Sequence, residues 1–469
     1  MRARLLGIDI GTTGVRTALF DASGTMLTDA SVPCPYDAPE PGWAEIAPER
    51  WWNAVNAALA RLPELADVTA VAVVGQAPTV VFADAHGNAL GTAVLWLDTR
   101  ATAEAAELGV HAYYLGPKLR WLERHRHVEA RWILQSHSYV AMQLTGVASV
   151  DPSTAALCQP LFDLAARTWV DTDARLPPVR AAHEIIGGVT AAAAALTGLR
   201  AGTPVVAGGG DFAAATLGAG VIDEGEACLM LGTAGNLLVP RKTPGTDSRL
   251  INAHHVGADV WLTLGGTLSG GAQEWLRASL GDAPLGGSPP PFEVLDGEAA
   301  AIETGAGGLL FLPYLYGERT PIWDTSARGA YIGLSLHHGR GHLWRAVLEG
   351  IALGFVDCQE VVAEDGVAIT EIVAANGGGK SALFRQILCD ALGVPLSYTP
   401  HAGGTVAGAA ILAGLGTEAI PAPDSARAWR GPTVRHEPDA TAHARYRELL
   451  FLRRAAYSGL KPVFAGLTR

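Results

Sequence analysis

The sequence predicts an α/β protein that consists of two duplicated halves. The chain has 469 residues, which is too long for one ordinary hydrophobic core and suits two or three domains. Short apolar runs alternate along it with stretches of helical spacing. A strand–Gly-Thr-x-Gly–strand pattern occurs at Gly11–Gly14, and a second one occurs at Gly232–Gly235. We therefore expect one domain over residues 1–220 and a second, related domain over residues 221–469.

Composition restricts the possible classes of function. The net charge is -12, from 34 basic and 46 acidic residues, which argues against a nucleic-acid partner because phosphate backbones require a basic surface. The five cysteines have no paired spacing, which favours a reducing compartment over a zinc site or a disulfide framework. The sequence has neither a secretory signal pattern nor an apolar run long enough to cross a bilayer. We expect a cytoplasmic protein without a membrane partner.

The first half opens with a predicted β-meander. Residues 5–10 and 15–20 read as two strands joined by the Gly/Thr turn. Such a turn presents backbone N–H groups and hydroxyls without bulk, as phosphate oxygens require, although ordinary hairpins contain the same residues. Asp9 is an acid inside an apolar strand, where burial is unfavourable unless a partner such as a divalent cation is present. Asp9 therefore favours the phosphate-binding interpretation.

Polar side chains follow the next predicted strands of this half. Residues 68–74 form a strand that ends before Gln76, and residues 94–100 form another that carries Asp98 near its end. Ligands bind at such strand ends in open α/β sheets, although single residues there are more often surface or capping residues. Residues 101–199 are mainly helical by composition.

The first half ends at a glycine-rich turn that carries one acid. Residues 203–207 read as a strand, Gly208–Gly210 as a turn, and the small residues from Asp211 onward as a helix. A carboxylate at such a turn points into the crevice beyond the strand ends. A helix-capping aspartate is the ordinary alternative. Asp211 is therefore a candidate site residue.

The second half repeats the strand–turn–strand opening, which suggests duplicated domains on either side of a nucleotide. Residues 371–375 form a strand that runs into Asn376–Ser381, a segment that ends in Gly-Lys-Ser. It is not a P-loop, because Ala374 stands where the first glycine is required. A strand, glycines and a helix N-terminus in succession are nevertheless typical of a nucleotide site.

Several motifs, taken in this order, resemble those of one known family. They are Asp9–Gly14, Pro117–Leu122, Gly208–Asp211, Leu231–Gly235, Tyr314–Pro321, Gly329–Leu334, Ala346–Glu349 and Asn376–Gly379. The chain resembles the FGGY carbohydrate kinases over essentially its whole length and, within that family, the xylulokinases. The resemblance implies two actin-like, ribonuclease-H-like ATPase domains with a cleft between them.

The resemblance also implies a role for each matching residue. Asp211 would be the general base that takes a proton from the attacking sugar hydroxyl, and Asp9 would help to hold Mg²⁺. The donor would be ATP. Phosphate contacts would come from Thr12, Thr13, Gly232 and Thr233, and nucleotide contacts from Gly270, Glu274, Gly377, Gly378 and Ser381. Gln76 and Asp98 would lie on the sugar side.

Two departures from the family pattern leave the sugar open. Xylulokinases usually carry Met-His after the glutamine equivalent to Gln76, whereas this chain has Ala77 and Pro78. The residue after the general base is usually a hydrogen-bonding amide, whereas this chain has Phe212. A ketopentose such as xylulose is the expected substrate, with another ketose or polyol (ribulose, glycerol or an erythritol-like compound) as the alternative. A non-catalytic sugar- or nucleotide-binding member of the fold is a further alternative, and a homodimer is compatible with the resemblance.

Overall fold

The computed structural model describes residues 3–170, 172–280, 288–375, 377–399 and 404–467. The strands are β1 Arg4–Ile10, β2 Gly14–Asp21, β3 Met26–Pro33, β4 Glu45–Ile46, β5 Ala70–Gly75, β6 Val81–Ala83, β7 Ala93–Val94, β8 Trp132–Leu134, β9 Phe162–Asp163, β10 Thr168–Trp169, β11 Ile185–Gly188, β12 Pro204–Gly210, β13 Glu226–Leu231, β14 Ala234–Arg241, β15 Ile251–His254, β16 Trp261–Leu268, β17 Leu310–Leu312, β18 Ala330–Ile332, β19 Glu371–Ala375, β20 Leu396–Tyr398 and β21 Val434–His436.

The α-helices are α1 Pro48–Leu59, α2 Thr102–Leu108, α3 Leu115–His125, α4 Ser136–Thr145, α5 Pro152–Ala155, α6 Ala191–Thr197, α7 Asp211–Gly218, α8 Gly270–Ser279, α9 Phe292–Ala300, α10 Arg340–Glu364, α11 Ala382–Leu392, α12 Gly404–Gly416 and α13 Ala440–Leu467. Short 3₁₀ turns occur at Leu65–Asp67, Ala306–Gly308, Gly377–Lys380 and Pro423–Arg430. Among the described helices, none combines the length and the apolar character that a membrane span requires.

Packing divides the chain into two units. The first is Met1–Ile222 with Ala253–Leu262 and Ala402–Gly431, and the second is Asp223–Asn252 with Thr263–His401 and Pro432–Arg469. The first boundary lies two residues beyond residue 220. Two later stretches of chain belong to the first unit, a feature that local sequence patterns do not reveal.

The first unit contains a mixed sheet in the order β11-β12-β5-β1-β2-β3. Strands β1, β5 and β12 run parallel, with Ile10 beside Gly75 and Gly75 beside Gly210. These strands are almost entirely buried, as their near-continuous apolar sequences indicate. Their carboxyl ends therefore meet at one edge of the sheet.

The second sheet has the order β15-β16-β14-β13-β19-β20-β21. It repeats the central arrangement of the first sheet, because an antiparallel hairpin (β13–β14) lies beside a parallel strand (β19). In the first sheet the corresponding elements are β1–β2 and β5. The core of the second unit includes the buried Trp344 and Phe355 of α10.

The glycine run Gly208–Gly210, which the sequence predicts as a turn, lies inside a strand, because β12 continues through Gly210. A second strand, β16, likewise continues through Gly265 to Leu268. A Cβ atom on Gly208 would lie 1.7 Å from the carbonyl oxygen of Val73, and one on Gly265 would lie 2.6 Å from the Cβ atom of Cys358. The glycines allow close approach of neighbouring elements, which is the second common role of glycine in a strand.

Candidate active site

Three of the predicted site residues meet at the carboxyl edge of the first sheet. Asp9 is the penultimate residue of β1, Gln76 follows β5, and Asp211 follows β12. The backbone N–H of Gln76 donates to the carbonyl of Ile10 at 2.9 Å, which ties β5 to the end of β1. The strand register therefore brings together residues that are separated by up to two hundred positions in the sequence.

The three glycines before Asp211 set the path of the chain into α7. Gly208 has a φ of 74°, at a register shift in the pairing of β12 with β5. A Cβ atom on Gly209 would lie 3.0 Å from Oδ2 of Asp151, and one on Gly210 would lie 2.5 Å from the ring of Phe212. A side chain at any of the three positions would therefore move the Asp211 turn.

Asp9 and Asp211 form a pair of acids with raised pKa values. Burial raises the pKa of Asp9 to about 8, with a further rise from the Asp211 charge and an opposing effect of Arg16. Burial also raises the pKa of Asp211 to about 6, against a hydrogen bond that its Oδ1 accepts from the backbone N–H of Phe212 at 2.7 Å. Like charges in a site of low polarity disfavour each other's ionisation.

This pair fits a divalent cation. Oδ1 of Asp9 is buried and has no hydrogen-bond partner among the described residues. An orphaned buried carboxylate oxygen is costly unless something positive faces it. Mg²⁺ is commonly held by one or two carboxylates together with substrate phosphates, so a site with few protein ligands is compatible with it.

The first Gly/Thr turn is anchored to the sheet and to a neighbouring loop. Gly11 N–H donates to the carbonyl of Gly14 at 2.9 Å, and the exposed Thr13 accepts from Cys34 N–H through its carbonyl at 2.9 Å. The indole N–H of Trp96 donates to the Thr12 hydroxyl at 3.0 Å. The turn thus presents its Thr13 side chain to solvent, while Trp96 fixes Thr12.

The second Gly/Thr turn supports the start of α8. Gly270 N–H donates to the carbonyl of Gly232 at 2.9 Å, and Gly271 N–H donates to the carbonyl of Thr233 at 3.0 Å. A Cβ atom on Gly270 would lie 2.7 Å from the Gly232 carbonyl oxygen, so this approach requires glycine. Glu274 lies one turn further along α8 with its half-exposed carboxylate paired to Arg277 at 2.6 Å.

The predicted adenosine turn lies beside the same hairpin of the second unit. A Cβ atom on Gly378 would lie 2.8 Å from that of Leu231, the last residue of β13. Gly377 and Gly378 open the 3₁₀ turn, and the Ser381 hydroxyl accepts from Phe384 N–H at 3.0 Å as the N-cap of α11. Asn376, the first residue of this motif, lies outside the described residues.

The residues predicted to bind the sugar differ in burial and in their hydrogen-bond partners. Gln76 is buried, and neither atom of its side-chain amide has a partner among the described residues. Ala77 and Pro78 are buried beside it, and the Tyr113 hydroxyl donates to the Ala77 carbonyl at 3.3 Å. Phe212 is 5% exposed because its ring folds back over Gly210, so it fills space within its own turn.

Asp98 is engaged by the protein itself. Its Oδ2 accepts from Ala44 N–H at 2.6 Å and from the Arg100 guanidinium at 2.7 Å, and its Oδ1 accepts from the backbone and side chain of Arg100. Arg100 in turn pairs with Glu45 at 2.6 Å and lies 3.5 Å above the Trp43 ring. The structure places Asp98 in a buried ion-pair network that shapes its loop.

Several residues beside the site were not identified from the sequence. Trp96 carries no motif, and its contact with Thr12 joins positions 84 residues apart. Asp151 and Ser153 lie directly behind the glycines of β12. The sequence around Asp151 and Ser153 indicates the start of a helix, because Asp-Pro-Ser-Thr is typical of a helix N-terminus with a capping acid and a proline in the first turn.

Comparison with known proteins shows which proteins this chain is similar to over its whole length. The chain is 31% identical to the xylulose kinase of Escherichia coli (strain K12) over 497 residues, which cover 98% of this chain and 100% of that protein. It is 27% identical to the gluconokinase of Bacillus subtilis (strain 168), over 100% of this chain and 96% of that protein. The solved xylulose kinase of Rhodospirillum rubrum superposes with a TM-score of 0.88 at 33% identity, over 98% of this chain and 100% of that one.

The family assignment rests on both halves of the chain. Residues 4–218 match the N-terminal domain of the FGGY family of carbohydrate kinases, and residues 227–417 match its C-terminal domain. The predicted two-domain α/β fold with its two related sheets is thereby confirmed. The chain belongs to the FGGY family of carbohydrate kinases.

Proposed function

We propose that this carbohydrate kinase transfers the γ-phosphoryl group of ATP to a hydroxyl of a neutral ketopentose such as xylulose, with Asp211 as the general base. The observation that carries the proposal is the Asp211 carboxylate at the shared end of three parallel strands. Burial brings its pKa to about 6, which is close to the pH at which a base must act. Its Oδ1 accepts from Phe212 N–H, which orients the carboxylate, and Oδ2 would take the proton of the sugar hydroxyl.

Other predicted site residues, from both units, would position the phosphates and the nucleoside and offset the phosphate charge. Phosphoryl transfer depends mainly on alignment and on charge stabilisation, which backbone N–H groups and hydroxyls can supply. Thr12, Thr13 and the glycines around them have this character, and Gly232 and Thr233 repeat it in the second unit. Asp9 would hold Mg²⁺, which when bound with the nucleotide supplies positive charge next to the transferred group. Gly270, Glu274, Gly377, Gly378 and Ser381 would contact the nucleoside.

The charges of the first unit favour a neutral sugar over an aldonate such as gluconate. Lys118 is 1% exposed, and its ammonium donates to the carbonyls of Ala112 and Tyr113 at 2.7 Å each. Burial lowers the pKa of Lys118 to about 7, so its ammonium loses the proton more readily than that of an exposed lysine. Arg100 is fully committed to Asp98 and Glu45. A substrate carboxylate would have to draw a cation away from one of these networks.

Recognition of the hydroxyls would rest on Gln76. Its unpartnered amide can donate and accept at once, as a pair of sugar hydroxyls requires. Ala77, Pro78 and Phe212 offer no side-chain hydrogen bond, so they would shape the pocket. Fewer polar contacts predict weaker discrimination among sugars, because buried hydrogen-bonding groups provide most of it. Ribulose, glycerol and erythritol therefore belong in any test.

The test is an ADP-release assay over a panel of xylulose, ribulose, hexuloses, glycerol, erythritol and gluconate, with Asp211→Asn as the control. We expect the largest kcat/KM for a ketopentose and a kcat about 10²- to 10⁴-fold lower in the variant. A preference for gluconate would overturn the substrate assignment. A kcat of Asp211→Asn within about tenfold of the wild type would overturn the base assignment. Sugar binding without turnover across the panel would instead identify a non-catalytic member of the fold.

A further inference from the structure

A chain of buried polar contacts runs from α5 to the residue before Asp211. Oδ2 of Asp151 caps α5 by accepting from Ser153 N–H at 2.8 Å, and it also accepts from the Ser153 hydroxyl. The Ser153 hydroxyl oxygen in turn accepts from the backbone N–H of Gly210 at 3.3 Å. Asp151 and Ser153 are completely buried. Gly210 is thus held by a side chain from a segment 57 positions earlier.

The second oxygen of Asp151 faces a histidine. Nε2 of His137, at the start of α4, lies 3.5 Å from Oδ1 of Asp151, and both side chains are completely buried. Burial lowers the pKa of His137, with an opposing effect of the Asp151 charge, so the ring is neutral at physiological pH. Oδ1 of Asp151 nevertheless accepts no hydrogen bond from the described residues, and Nε2 of His137 also lies 3.4 Å from the Ser138 hydroxyl. His137 is therefore a polar neighbour of Asp151 and not its hydrogen-bond donor.

This network contacts the Asp211 turn directly and leaves little room for it to move. Gly209 passes so close to Asp151 that an added Cβ atom would lie 3.0 Å from Oδ2. On the opposite side, Gly208 passes over the Val73 carbonyl of β5. The turn that carries Asp211 is therefore held between β5 and the Asp151–Ser153 pair. Displacement of a reacting group by about 1 Å can lower a rate by about two orders of magnitude.

We propose that Asp151, Ser153 and His137 are positioning residues, which fix the Asp211 turn through the hydrogen bond from Gly210 N–H to the Ser153 hydroxyl. The inference rests on the proposed role of Asp211 as the general base. His137 lies against the second oxygen of Asp151, Asp151 orients the Ser153 hydroxyl, and Ser153 anchors the backbone immediately before the base. None of the three touches the substrate in this scheme.

The test compares two hydroxyl deletions in the same short helix. Ser153→Ala removes the acceptor of Gly210 N–H. Thr154→Val is the matched control, because Thr154 is equally buried and its hydroxyl has no hydrogen-bond partner among the described residues. We expect Ser153→Ala to lower kcat by about 10- to 100-fold while the KM values for sugar and ATP change by less than about threefold. Thr154→Val should keep kcat within about twofold of the wild type.

A purely structural role would give a different result. Ser153→Ala would then lose thermal stability, and kcat per folded molecule would be unchanged in both variants. A kcat of Ser153→Ala within about twofold of the wild type, or an equal loss in Thr154→Val, would overturn the proposal. If Ser153→Ala does not fold, Ser153→Cys replaces it, since the thiol fills the same position but is a weak acceptor for Gly210 N–H. Full kcat in that variant would equally overturn the proposal.

The failure of this inference is distinguishable from a failure of the proposed function. Asp211→Asn tests the base alone, and adding Ser153→Ala to it should cause no further loss, because the position of an absent base is irrelevant. An inactive Asp211→Asn with a fully active Ser153→Ala would refute the positioning role only. An active Asp211→Asn would refute the base assignment.

Discussion

Replacing Asp211 by asparagine should make the protein more stable while it lowers the rate of catalysis by about 10²- to 10⁴-fold. Burial raises the pKa of Asp211 from 3.8 to about 6, a difference of roughly two pH units, which corresponds to about 3 kcal/mol. A carboxyl with a raised folded-state pKa contributes stability fully below pH 3.8, and this contribution is lost as the pH rises through 6. Asparagine carries no charge at any pH. The variant should therefore exceed the wild type in free energy of unfolding by up to about 3 kcal/mol at pH 8, and by about half of that at pH 5.

Urea unfolding at pH 5 and pH 8 measures this gain, and ADP release measures the loss of activity. Removing a general base typically lowers the rate by about 10²- to 10⁴-fold. Asp84→Asn is the matched control with the opposite sign, since a side-chain hydrogen bond from Asn88 lowers the pKa of the exposed Asp84. That variant should lose stability at pH 8. An Asp211→Asn variant that is no more stable than the wild type at pH 8, or whose gain does not grow from pH 5 to pH 8, would refute the reasoning.

Three further predictions test other parts of the site. If Asp211 is the base and must be ionised to act, kcat/KM should fall about fivefold between pH 6 and pH 5 in a discontinuous ADP assay, and a flat profile would exclude a base with this pKa. Gly208→Ala should lower the free energy of unfolding, measured with urea, by about 3 kcal/mol or more, since its Cβ atom would meet the Val73 carbonyl. The control Gly109→Ala should lower it by only about 1 kcal/mol, because Gly109 has a φ of 65° and an added Cβ atom would have nothing within 4 Å. Trp96→Phe should raise the KM for ATP about fivefold by removing the hydrogen bond to Thr12, and ATP saturation curves of the double variant with Thr12→Val should show no additional increase.

Local patterns were sufficient to predict the positions that form the edge of the first sheet. Asp9, Gln76 and Asp211 each stand at the end of an apolar run, and parallel strands bring such ends together. The duplicated hairpins at Gly11–Gly14 and Gly232–Gly235 were equally visible, because their glycines and threonines are adjacent in the sequence. Short-range spacing therefore predicted the central strands of both sheets.

The contacts around those positions could not be predicted in the same way. Gly208 reads as a turn residue in sequence, and its actual constraint comes from the carbonyl of Val73 in another strand. Asp98 reads as a free carboxylate at a strand end, yet Arg100 and Ala44 N–H occupy both of its oxygens. In both cases tertiary packing brings in the partner, and the spacing of apolar residues along the sequence does not reveal which residue it is.

The same packing explains why the candidate site lowers the stability of the fold. In the proposed role Asp211 would need a rigid, poorly hydrated position to act as a base near neutral pH, and burial at that position raises its pKa at the expense of stability. Gly208–Gly210 let the chain pass closely enough to β5 and Asp151 to create this position, at the further cost of backbone freedom. Phe212 then closes the turn by covering Gly210 with an apolar ring. A substitution that hydrates Asp211 without a steric clash should therefore stabilise the carboxylate and weaken the base together, whereas Gly208→Ala, whose Cβ atom meets the Val73 carbonyl, should lower stability and turnover together.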